Sequence, residues 1–464
     1  MSRLFKRFSS TLTETITIKS TPSKTHLHRP LPTSSFPTGY LATGIHAGVK
    51  KKPGVLDLGL IVSTSEHPAS AAACFTRNAF KAAPVVVSDQ ILTKNGGRAR
   101  AVVVNSGCAN AAAKVWRTLG QWSARPTLSC PPSTFMAENH TLVMSTGVIG
   151  QNLPISKIVD GIRSQATTAR TLASDFPAWE RAAKAFMTTD TFPKLRSRVF
   201  TINGTEFRMA GMDKGAGMIH PNMGPATTSF PALHATLLGC IFTDAAVSPR
   251  SLQSALTYAV ERSFNSISVD GEMSTNDTIL VLANGAAASK NGKVIEIDEE
   301  TDKEGYETFK TQLTEFAVEL AQLVVRDGEG ATKFVTVNVK GAPTYEIAHR
   351  VASRISTSAL VKTAFYGEDA NWGRILSAAG SISVPGLDPS KVSVTFVPSD
   401  NTGSLPVLVN GEPENVDEVR AKEILSLEDF GICIDLGGLG NEEATYWTCD
   451  FSYDYVRING DYRS

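Results

Sequence analysis

The chain has 464 residues, of which 42% are hydrophobic, and its 45 basic side chains are balanced by 45 acidic ones. This length predicts two to four structural units with a sizeable core. The balanced charge argues against a nucleic-acid or acidic-membrane partner, which would attract an excess of positive charge, and no run of about 18 apolar residues predicts a membrane span.

The N-terminus is basic, rich in hydroxyl groups and poor in acids. Arg3, Lys6 and Arg7 precede the first acidic residue, Glu14. This composition is typical of a mitochondrial transit peptide, so we predict a matrix protein whose transit peptide covers about residues 1–20. A basic tail without a targeting role is the alternative interpretation.

The cysteines are scattered along the chain and form no CxxC pair. Such spacing favours reduced thiols in a reducing compartment over disulfides or a zinc site. The six positions are Cys74, Cys108, Cys130, Cys240, Cys433 and Cys449.

Short apolar runs and turn residues alternate in the first half of the chain. Strands are predicted, in order, at 55–62, 84–88, 101–104 and 142–145. Helical spacing then predicts a helix from Ile155 to about Ala173, and the Asn203-Gly204 pair predicts a hairpin over 200–209.

The second half mixes strands with amphipathic helices. Ser248-Pro249 predicts a helix start, since a capping hydroxyl precedes a proline at the first helical position. Further helices are predicted at 309–324 and 348–364, and strands at 278–283, 334–339, 391–397, 432–436 and 446–458. The mixture predicts a layered α/β (α+β) fold.

The segment from Lys114 to His140 has neither helical nor strand periodicity. Its simplest interpretation is a long surface loop, although loops of this length are uncommon inside compact domains.

Thr236 is the strongest candidate for chemistry. It follows the small residue Ala235 and a glycine-rich run that begins at Lys214. If the Ala235–Thr236 bond is cut, the threonine gains its own general base, an α-amine with a pKa of about 7.7–8.0, and becomes a nucleophile for acyl transfer. An ordinary threonine of a helix or strand is the alternative.

Four other positions could assist acyl transfer. Thr146 and Gly147 close a predicted strand and could donate to an oxyanion, although from these residues alone a plain turn is the simpler interpretation. Lys214 could hold a substrate carboxylate or aid the backbone cleavage, or could be a surface lysine. Glu329, which lies between glycines, could bind a substrate ammonium group, or could belong to a solvated loop. The polar turn at 270–277 is too common a pattern to assign a metal.

Ten motifs, considered together, resemble the ornithine acetyltransferases, also called bifunctional glutamate N-acetyltransferases, of arginine biosynthesis. The chain carries VVNSG (103–107), STGVIG (145–150), MTTDTFPK (187–194), KGAGMIHPNM (214–223), HATLLG (234–239), FTDAA (242–246), SVDGEMSTNDT (268–278), RDGEGATK (326–333), GEDANWGRI (367–375) and DYVRIN (454–459). The resemblance runs from about Gly39 to Ser464. The spacing between Lys214 and Thr236 is similar to that of the fungal mitochondrial branch.

The resemblance implies a four-layer αββα sandwich, shared with certain self-processing aminopeptidases. It also implies self-cleavage between Ala235 and Thr236 into an α chain, 21–235, and a β chain, 236–464. The two chains are expected to stay associated, either as a single heterodimer or as a dimer of such pairs. No metal or organic cofactor is implied.

The implied reaction is a ping-pong acetyl transfer. Thr236 would take the acetyl group of N-acetylornithine, release ornithine and pass the acetyl group to glutamate, with acetyl-CoA as a further donor. Thr146 and Gly147 match the family's oxyanion hole. The substrate-contacting positions match Thr188, Lys214, Thr236, Glu329, Asn459 and Ser464.

One segment departs from the resemblance. At Lys114 to His140 the family has an acidic, Gly/Ala-rich helical stretch, whereas this chain has Trp, Arg, Cys and Pro. This content is typical of a coding stretch read in the wrong frame, which is our hypothesis for it.

Two alternative functions stay open at this point. One is an N-terminal-nucleophile amidohydrolase or aminopeptidase of the same fold, which would release its product to water. The other is an uncut chain that binds a metabolite or serves as a scaffold.

Overall fold

A computed structural model describes residues 20–79, 81–111, 140–167, 171–225, 237–290, 293–294 and 296–460. Ala235, Thr236 and Ser464 lie outside the described residues, as do residues 1–19 and 114–139. The predictions made for those positions therefore stay predictions.

The described residues form helices and strands throughout. The helices are α1 Ala83–Lys94, α2 Ile155–Thr167, α3 Phe176–Phe186, α4 Pro249–Glu261, α5 Lys303–Arg326, α6 Tyr345–Ser356, α7 Ala359–Gly367, α8 Trp372–Gly380, α9 Glu418–Ser426 and α10 Tyr453–Gly460. The strands are β1 Tyr40–Ile45, β2 Leu58–Ser63, β3 Ala69–Thr76, β4 Arg98–Ala99, β5 Ala101–Cys108, β6 Thr141–Val148, β7 Lys194–Ile202, β8 Thr205–Lys214, β9 Met223–Pro225, β10 Leu238–Thr243, β11 Ile267–Ser268, β12 Thr278–Ala283, β13 Ser289–Lys290, β14 Lys293–Val294, β15 Phe334–Ala342, β16 Ser393–Pro398, β17 Leu405–Val409, β18 Glu412–Pro413, β19 Asp429–Asp435 and β20 Glu442–Cys449.

Two mixed sheets face each other and carry helices on their outer faces. The first sheet has the order β1-β2-β5-β6, and the second has the order β4-β3-β12-β10-β8-β7, with β9 paired to β3. Helix α2 covers the outer face of the first sheet, and α4 and α5 cover the outer face of the second. The inner faces meet directly where Cys240 Sγ lies 3.4 Å from Met144 Sδ. The predicted α/β sandwich is confirmed.

Helix α3 adds to this arrangement by packing against the inner face of the first sheet. Gly44 of β1 allows the close approach, because a Cβ at this position would lie 1.9 Å from the carbonyl oxygen of Arg181. On the other side of the helix, the Trp179 ring meets the Phe242 ring of β10 edge to face, with centroids 5.6 Å apart. The helix therefore joins the two sheets.

A third sheet, of order β11-β20-β15-β19-β16-β17-β18, forms the C-terminal part of the structure. Apolar residues of α6, α7, α8 and α9 share one buried cluster with this sheet. Strand β20 leads into α10, so the last described helix follows directly from the sheet.

Several predicted elements are confirmed. The hairpin turns at Asn203 and Gly204, whose φ angles are +50° and +72° as a type I′ turn requires. Ser248 caps α4 by accepting from the N–H of Ser251. Within the described residues the five cysteines are free thiols, and no helix there has the length and apolar character needed to cross a membrane.

The strand predicted at 84–88 is wrong, because these residues lie in α1. The β-branched run Val85-Val86-Val87 favours a strand by propensity, but Pro84 stands in the first helical turn, where its missing N–H costs nothing. Val85, Val87 and Leu92 are buried, so packing overrides propensity.

Other predicted boundaries are also wrong. The helix predicted at 348–364 is two helices, since α6 ends at Ser356 and Ser358 caps α7 by accepting from the N–H of Val361. The strand predicted at 446–458 stops at Cys449. There Asp450 accepts from the backbone N–H groups of Thr332 and Lys333, and α10 follows.

Candidate functional site

Six of the predicted site residues line a single pocket of about 140 Å³. Strand β6, the end of β8, the loop after α5 and helix α10 all reach it. The pocket is lined by Thr146, Gly147, Ile149, Thr188, Thr189, Lys214, Gly217, Met218, Glu329 and Asn459. Residues far apart in sequence, predicted separately, thus lie together.

Thr146 and Gly147 lie inside a strand rather than in the turn that the sequence predicts. Strand β6 pairs in parallel with β5, so that Thr146 lies opposite Ser106 and Gly147 opposite Gly107. Gly147 has a φ of +120°, and a Cβ there would lie 2.5 Å from the carbonyl carbon of Gly107. Only glycine fits this position without moving the paired strand.

Lys214 ends β8 and is fully buried beside the threonine. Its Nζ donates to Thr146 Oγ1 at 3.3 Å. Burial lowers the pKa of Lys214, while the Asp190 carboxylate opposes that shift. The pairing of β8 with β10 sets Lys214 opposite Leu238, two residues after position 236.

Glu329 and Asn459 form another part of the pocket wall. Asn459 Nδ2 donates to Glu329 Oε2 at 2.9 Å, and the Glu329 backbone N–H donates to the carbonyl of Ala216 at 2.8 Å. Gly217 is needed here, because a Cβ at this position would lie 2.4 Å from Glu329 Oε2. The pocket therefore offers one carboxylate and one buried amine.

Below the pocket lies a buried ion cluster that the sequence analysis did not assign. Lys194 Nζ donates to Asp190 Oδ1 and to Asp327 Oδ2, both at 2.6 Å. Asp190 also accepts from the backbone N–H groups of Thr188 and Gly215, both at 2.8 Å. This cluster therefore fixes the chain on both sides of the pocket.

The two main partners of the cluster are held in their charged forms. Although burial opposes it, the Lys194 and Lys214 ammonium groups and hydrogen bonds keep the pKa of Asp190 well below its usual range. Likewise, Asp190 and Asp327 raise the pKa of Lys194 against the effect of burial. Asp190 and Lys194 therefore form an ion pair, with both groups charged, although both are buried away from water.

A second unassigned lysine, Lys50, supports the pocket from the first sheet. Its Nζ donates to the carbonyl of Met187 at 2.7 Å and to that of Leu56 at 2.8 Å. Its side chain packs over Gly107, where a Cβ would lie 2.9 Å from Lys50 Cγ. Burial lowers the pKa of Lys50 to about 8. Lys50 thus ties the residue before Thr188 to the β5–β6 pair.

The polar turn at 270–277 closes the glycine-rich loop after Lys214. Asp270 Oδ1 accepts from the N–H of Ile219 at 2.9 Å, and Asp270 Oδ2 from that of Met218 at 2.5 Å. These bonds give the acidic residue a structural role at the edge of the pocket.

Comparison with known proteins identifies the family to which the sequence is related. A model of the ArgJ family matches residues 41–464. The chain is 70% identical over 474 residues to "Arginine biosynthesis bifunctional protein ArgJ, mitochondrial" of Coprinopsis cinerea, with 99% of each protein covered. A protein of the same name from Cryptococcus neoformans var. neoformans serotype D is 54% identical over 460 residues, which cover 97% of this chain and 95% of that protein.

Solved structures are also similar in part. The crystal structure of the arginine biosynthesis bifunctional protein argJ from Bacillus halodurans is 36% identical, covers 47% of this chain and 96% of that chain, and has a TM-score of 0.42. Because the family model spans nearly the whole chain and the relatives align along their full lengths, this protein belongs to the ArgJ family.

Proposed function

We propose that the pocket around Thr146, Lys214 and Glu329 is the site of acetyl transfer in this protein. The chain is a bifunctional acetyltransferase of arginine biosynthesis, with ornithine acetyltransferase and N-acetylglutamate synthase activities, and it is mitochondrial. One observation carries the assignment of the pocket: the candidate oxyanion donors, a buried lysine and a carboxylate converge beside the strand that begins two residues after Thr236.

The first proposed step is self-cleavage. Thr236 Oγ attacks the carbonyl carbon of Ala235, an O–C bond forms, and the C–N bond breaks as the nitrogen takes up a proton. Water then hydrolyses the ester and leaves a carboxylate on Ala235 and a free amine on Thr236. From then on the threonine carries its own base.

In the second proposed step the new amine accepts the Oγ proton, and Thr236 Oγ attacks the acetyl carbonyl of N-acetylornithine. The C–N bond of the substrate amide then breaks, ornithine leaves with that proton on its nitrogen, and the acetyl group stays on Thr236 Oγ as an ester. The amine of glutamate attacks this ester, which gives N-acetylglutamate and restores the Thr236 hydroxyl. The oxyanion accepts from the Gly147 N–H and the Thr146 hydroxyl. Because Thr146 Oγ1 accepts from Lys214, the hydroxyl hydrogen is turned away from the lysine. Each such donor is worth about 2.7–4 kcal/mol of transition-state stabilisation.

The charges of the pocket suit substrates that carry an α-amino-acid skeleton. Lys214 complements an α-carboxylate, and Glu329 complements a substrate ammonium group, with Thr188, Asn459 and Ser464 as the further proposed contacts. N-acetylornithine and glutamate share this skeleton, so one pocket can serve both halves of a ping-pong reaction. Acetyl-CoA is the proposed second donor, and these steps use no metal or organic cofactor.

The test follows the full-length protein and Thr236→Ala on a denaturing gel and by intact mass. We expect two fragments, with Thr236 at the new terminus, and one uncut band for the variant. Thr311→Ala, an exposed threonine of α5, is the matched control and should be cut normally. A single band with unchanged acetyl transfer in the unaltered protein would contradict self-processing.

A second assay separates transferase from hydrolase. The cut protein is incubated with N-acetylornithine, with and without glutamate, and both ornithine and N-acetylglutamate are measured. We expect glutamate to accelerate ornithine release and N-acetylglutamate to form in equal amount. A rate of ornithine release that does not depend on glutamate would instead favour the amidohydrolase.

A further inference from the structure

Asp277 contacts the chain directly beside the proposed nucleophile. It lies immediately before β12 and is fully buried. Its Oδ1 accepts from the backbone N–H of Leu237 at 2.9 Å, and the carbonyl of Leu237 accepts from the N–H of Thr278 at 3.0 Å. The backbone N–H and the carbonyl of Leu237 are thus both hydrogen-bonded, the first to Asp277 and the second to Thr278.

We propose that Asp277 is a positioning residue for the chemistry at position 236, acting through the N–H of Leu237. This inference rests on the proposed function. The N–H of Leu237 and the carbonyl of residue 236 belong to one planar peptide unit. A hydrogen bond that fixes the N–H of Leu237 therefore also fixes the orientation of the peptide plane between residues 236 and 237.

The carboxyl group of Asp277 can change its charge near neutral pH. Burial raises its pKa to about 7, against the opposing effects of the Leu237 N–H, of Ser274 and of Lys214 on the neighbouring strand β8. Its Oδ2 has no hydrogen-bond partner within the described part of the chain. The ionised form, present above this pH, is the stronger acceptor for the N–H, and it is lost as the pH falls.

The rate of self-cleavage reports on the ionisation of Asp277 without interference from the α-amine of Thr236. Before the cut, the nitrogen of Thr236 is an amide, so the α-amine that titrates near pH 8 does not yet exist. The pH dependence of the cut therefore reports on groups such as Asp277, whereas that of acetyl transfer also reports on the amine.

The chain offers a matched control at the other end of β10. Asp244 is equally buried, and its pKa is also raised by burial. It too accepts from backbone N–H groups, from Arg208 at 2.7 Å and from Thr38 at 3.0 Å. Strand β10 separates Asp244 from Leu237 by about 20 Å.

The experiment measures the rate of self-cleavage in four full-length proteins: the unaltered chain, Asp277→Asn, Asp277→Ala and Asp244→Asn. Each is translated briefly with labelled methionine, diluted into buffers from pH 5.5 to 9, and sampled over time on a denaturing gel. Far-UV circular dichroism of the purified proteins checks that each variant folds.

We expect the rate to rise with pH through about 7 in the unaltered chain and in Asp244→Asn. Asp277→Asn keeps a hydrogen-bond acceptor for the N–H of Leu237 but cannot ionise. The cleavage rate of this variant should therefore lack the rise near pH 7. Asp277→Ala loses the acceptor and should cut about 10- to 100-fold more slowly, as expected for a hydrogen bond to a charged group.

Two results would overturn the inference: an unchanged rise near pH 7 in Asp277→Asn, or cutting of a folded Asp277→Ala within threefold of Asp244→Asn. If Asp277→Ala does not fold, the profile of Asp277→Asn decides alone. The proposed function fails separately, when the unaltered chain itself is not cut before Thr236.

Discussion

Asp190 is the residue on which the geometry of the pocket depends most. Its two oxygens bind Lys194 and the backbone N–H groups of Thr188 and Gly215, so one carboxylate fixes two stretches of the pocket wall. Asp190 is not itself among the residues that line the pocket. Its influence on substrate is therefore indirect.

We predict that Asp190→Asn lowers the free energy of unfolding by about 3–5 kcal/mol at pH 7, the usual cost of breaking a buried ion pair. Chemical denaturation of the uncut Thr236→Ala protein, with and without the second substitution, measures this. Glu300→Gln, which breaks an exposed pair with Arg250, is the control and should change stability by less than about 1 kcal/mol.

The pH dependence has a definite sign. The folded protein holds the pKa of Asp190 below the value of an unfolded aspartate, which is near 3.9. The stability contributed by Asp190 is therefore fully present above about pH 5 and is lost as the pH falls through the folded-state pKa. A difference between Asp190→Asn and its parent that persists unchanged at pH 3 would contradict this account.

The sequence alone could predict six residues of the pocket because motifs carry them, but not the cluster beneath it. Asp190 and Asp327 stand within two of those motifs, yet Lys194 meets Asp327 across 133 positions of sequence. No local spacing signals such a pair. Which charges share a buried site is decided by the packing of distant strands.

At the scale of elements, the pairing of β5 with β6 matters most for the site. The sequence predicts a strand that stops before Thr146, whereas β6 continues to Val148. Gly107 and Gly147 lie opposite each other with φ angles of +110° and +120°, so the strands keep their register through a conformation that favours glycine. Strand propensity gives no sign of this continuation.

We predict that Gly147→Ala loses about 3 kcal/mol of stability and at least about 100-fold in acetyl transfer, since its Cβ would displace Gly107 and the N–H that is proposed to bind the oxyanion. Thermal unfolding and the transfer assay measure the two effects. Gly150→Ala is the control: it also has a positive φ, +76°, but its Cβ would meet nothing within 4 Å. Equal losses in both variants would show backbone strain alone to be the cause.

Other elements show where sequence patterns succeed and fail. The strand at 278–283 is predicted with its observed bounds, because an apolar run buried on both faces is flanked by polar turns. Residues 84–88 have the same apolar character but form a helix, since they pack against β6 and β3. Short apolar runs do not reveal which neighbours will cover them.

At the scale of the whole molecule, the pocket is lined both by residues of the two-sheet sandwich and by the helix that follows the third sheet. Helix α10 follows the third sheet and brings Asn459 against Glu329, which itself follows the long helix α5 of the sandwich. The helix has no fully buried residue, so it contributes to the site more than to the core.

We predict that deleting residues 453–464 leaves self-cleavage within about threefold of normal but raises the KM for N-acetylornithine about 10-fold or more, because contacts to a charged group are lost. Gel analysis and steady-state kinetics measure these effects. Val456→Ala, on an exposed position of the same helix, should change neither. A deletion that abolishes the cut would instead assign α10 a role in folding.

The order of the second sheet has a further consequence. Strands β12 and β10, from after position 236, lie between β3 and β8, from before it. A cut at position 236 therefore leaves two fragments interleaved within one hydrogen-bonded ladder. The uncut chain folds as a single molecule, at a rate independent of concentration, whereas separated fragments would have to find each other again in a second-order reaction. Cleavage would thus make folding a step that the protein completes once, and the lifetime of the mature enzyme would be set by its unfolding rate.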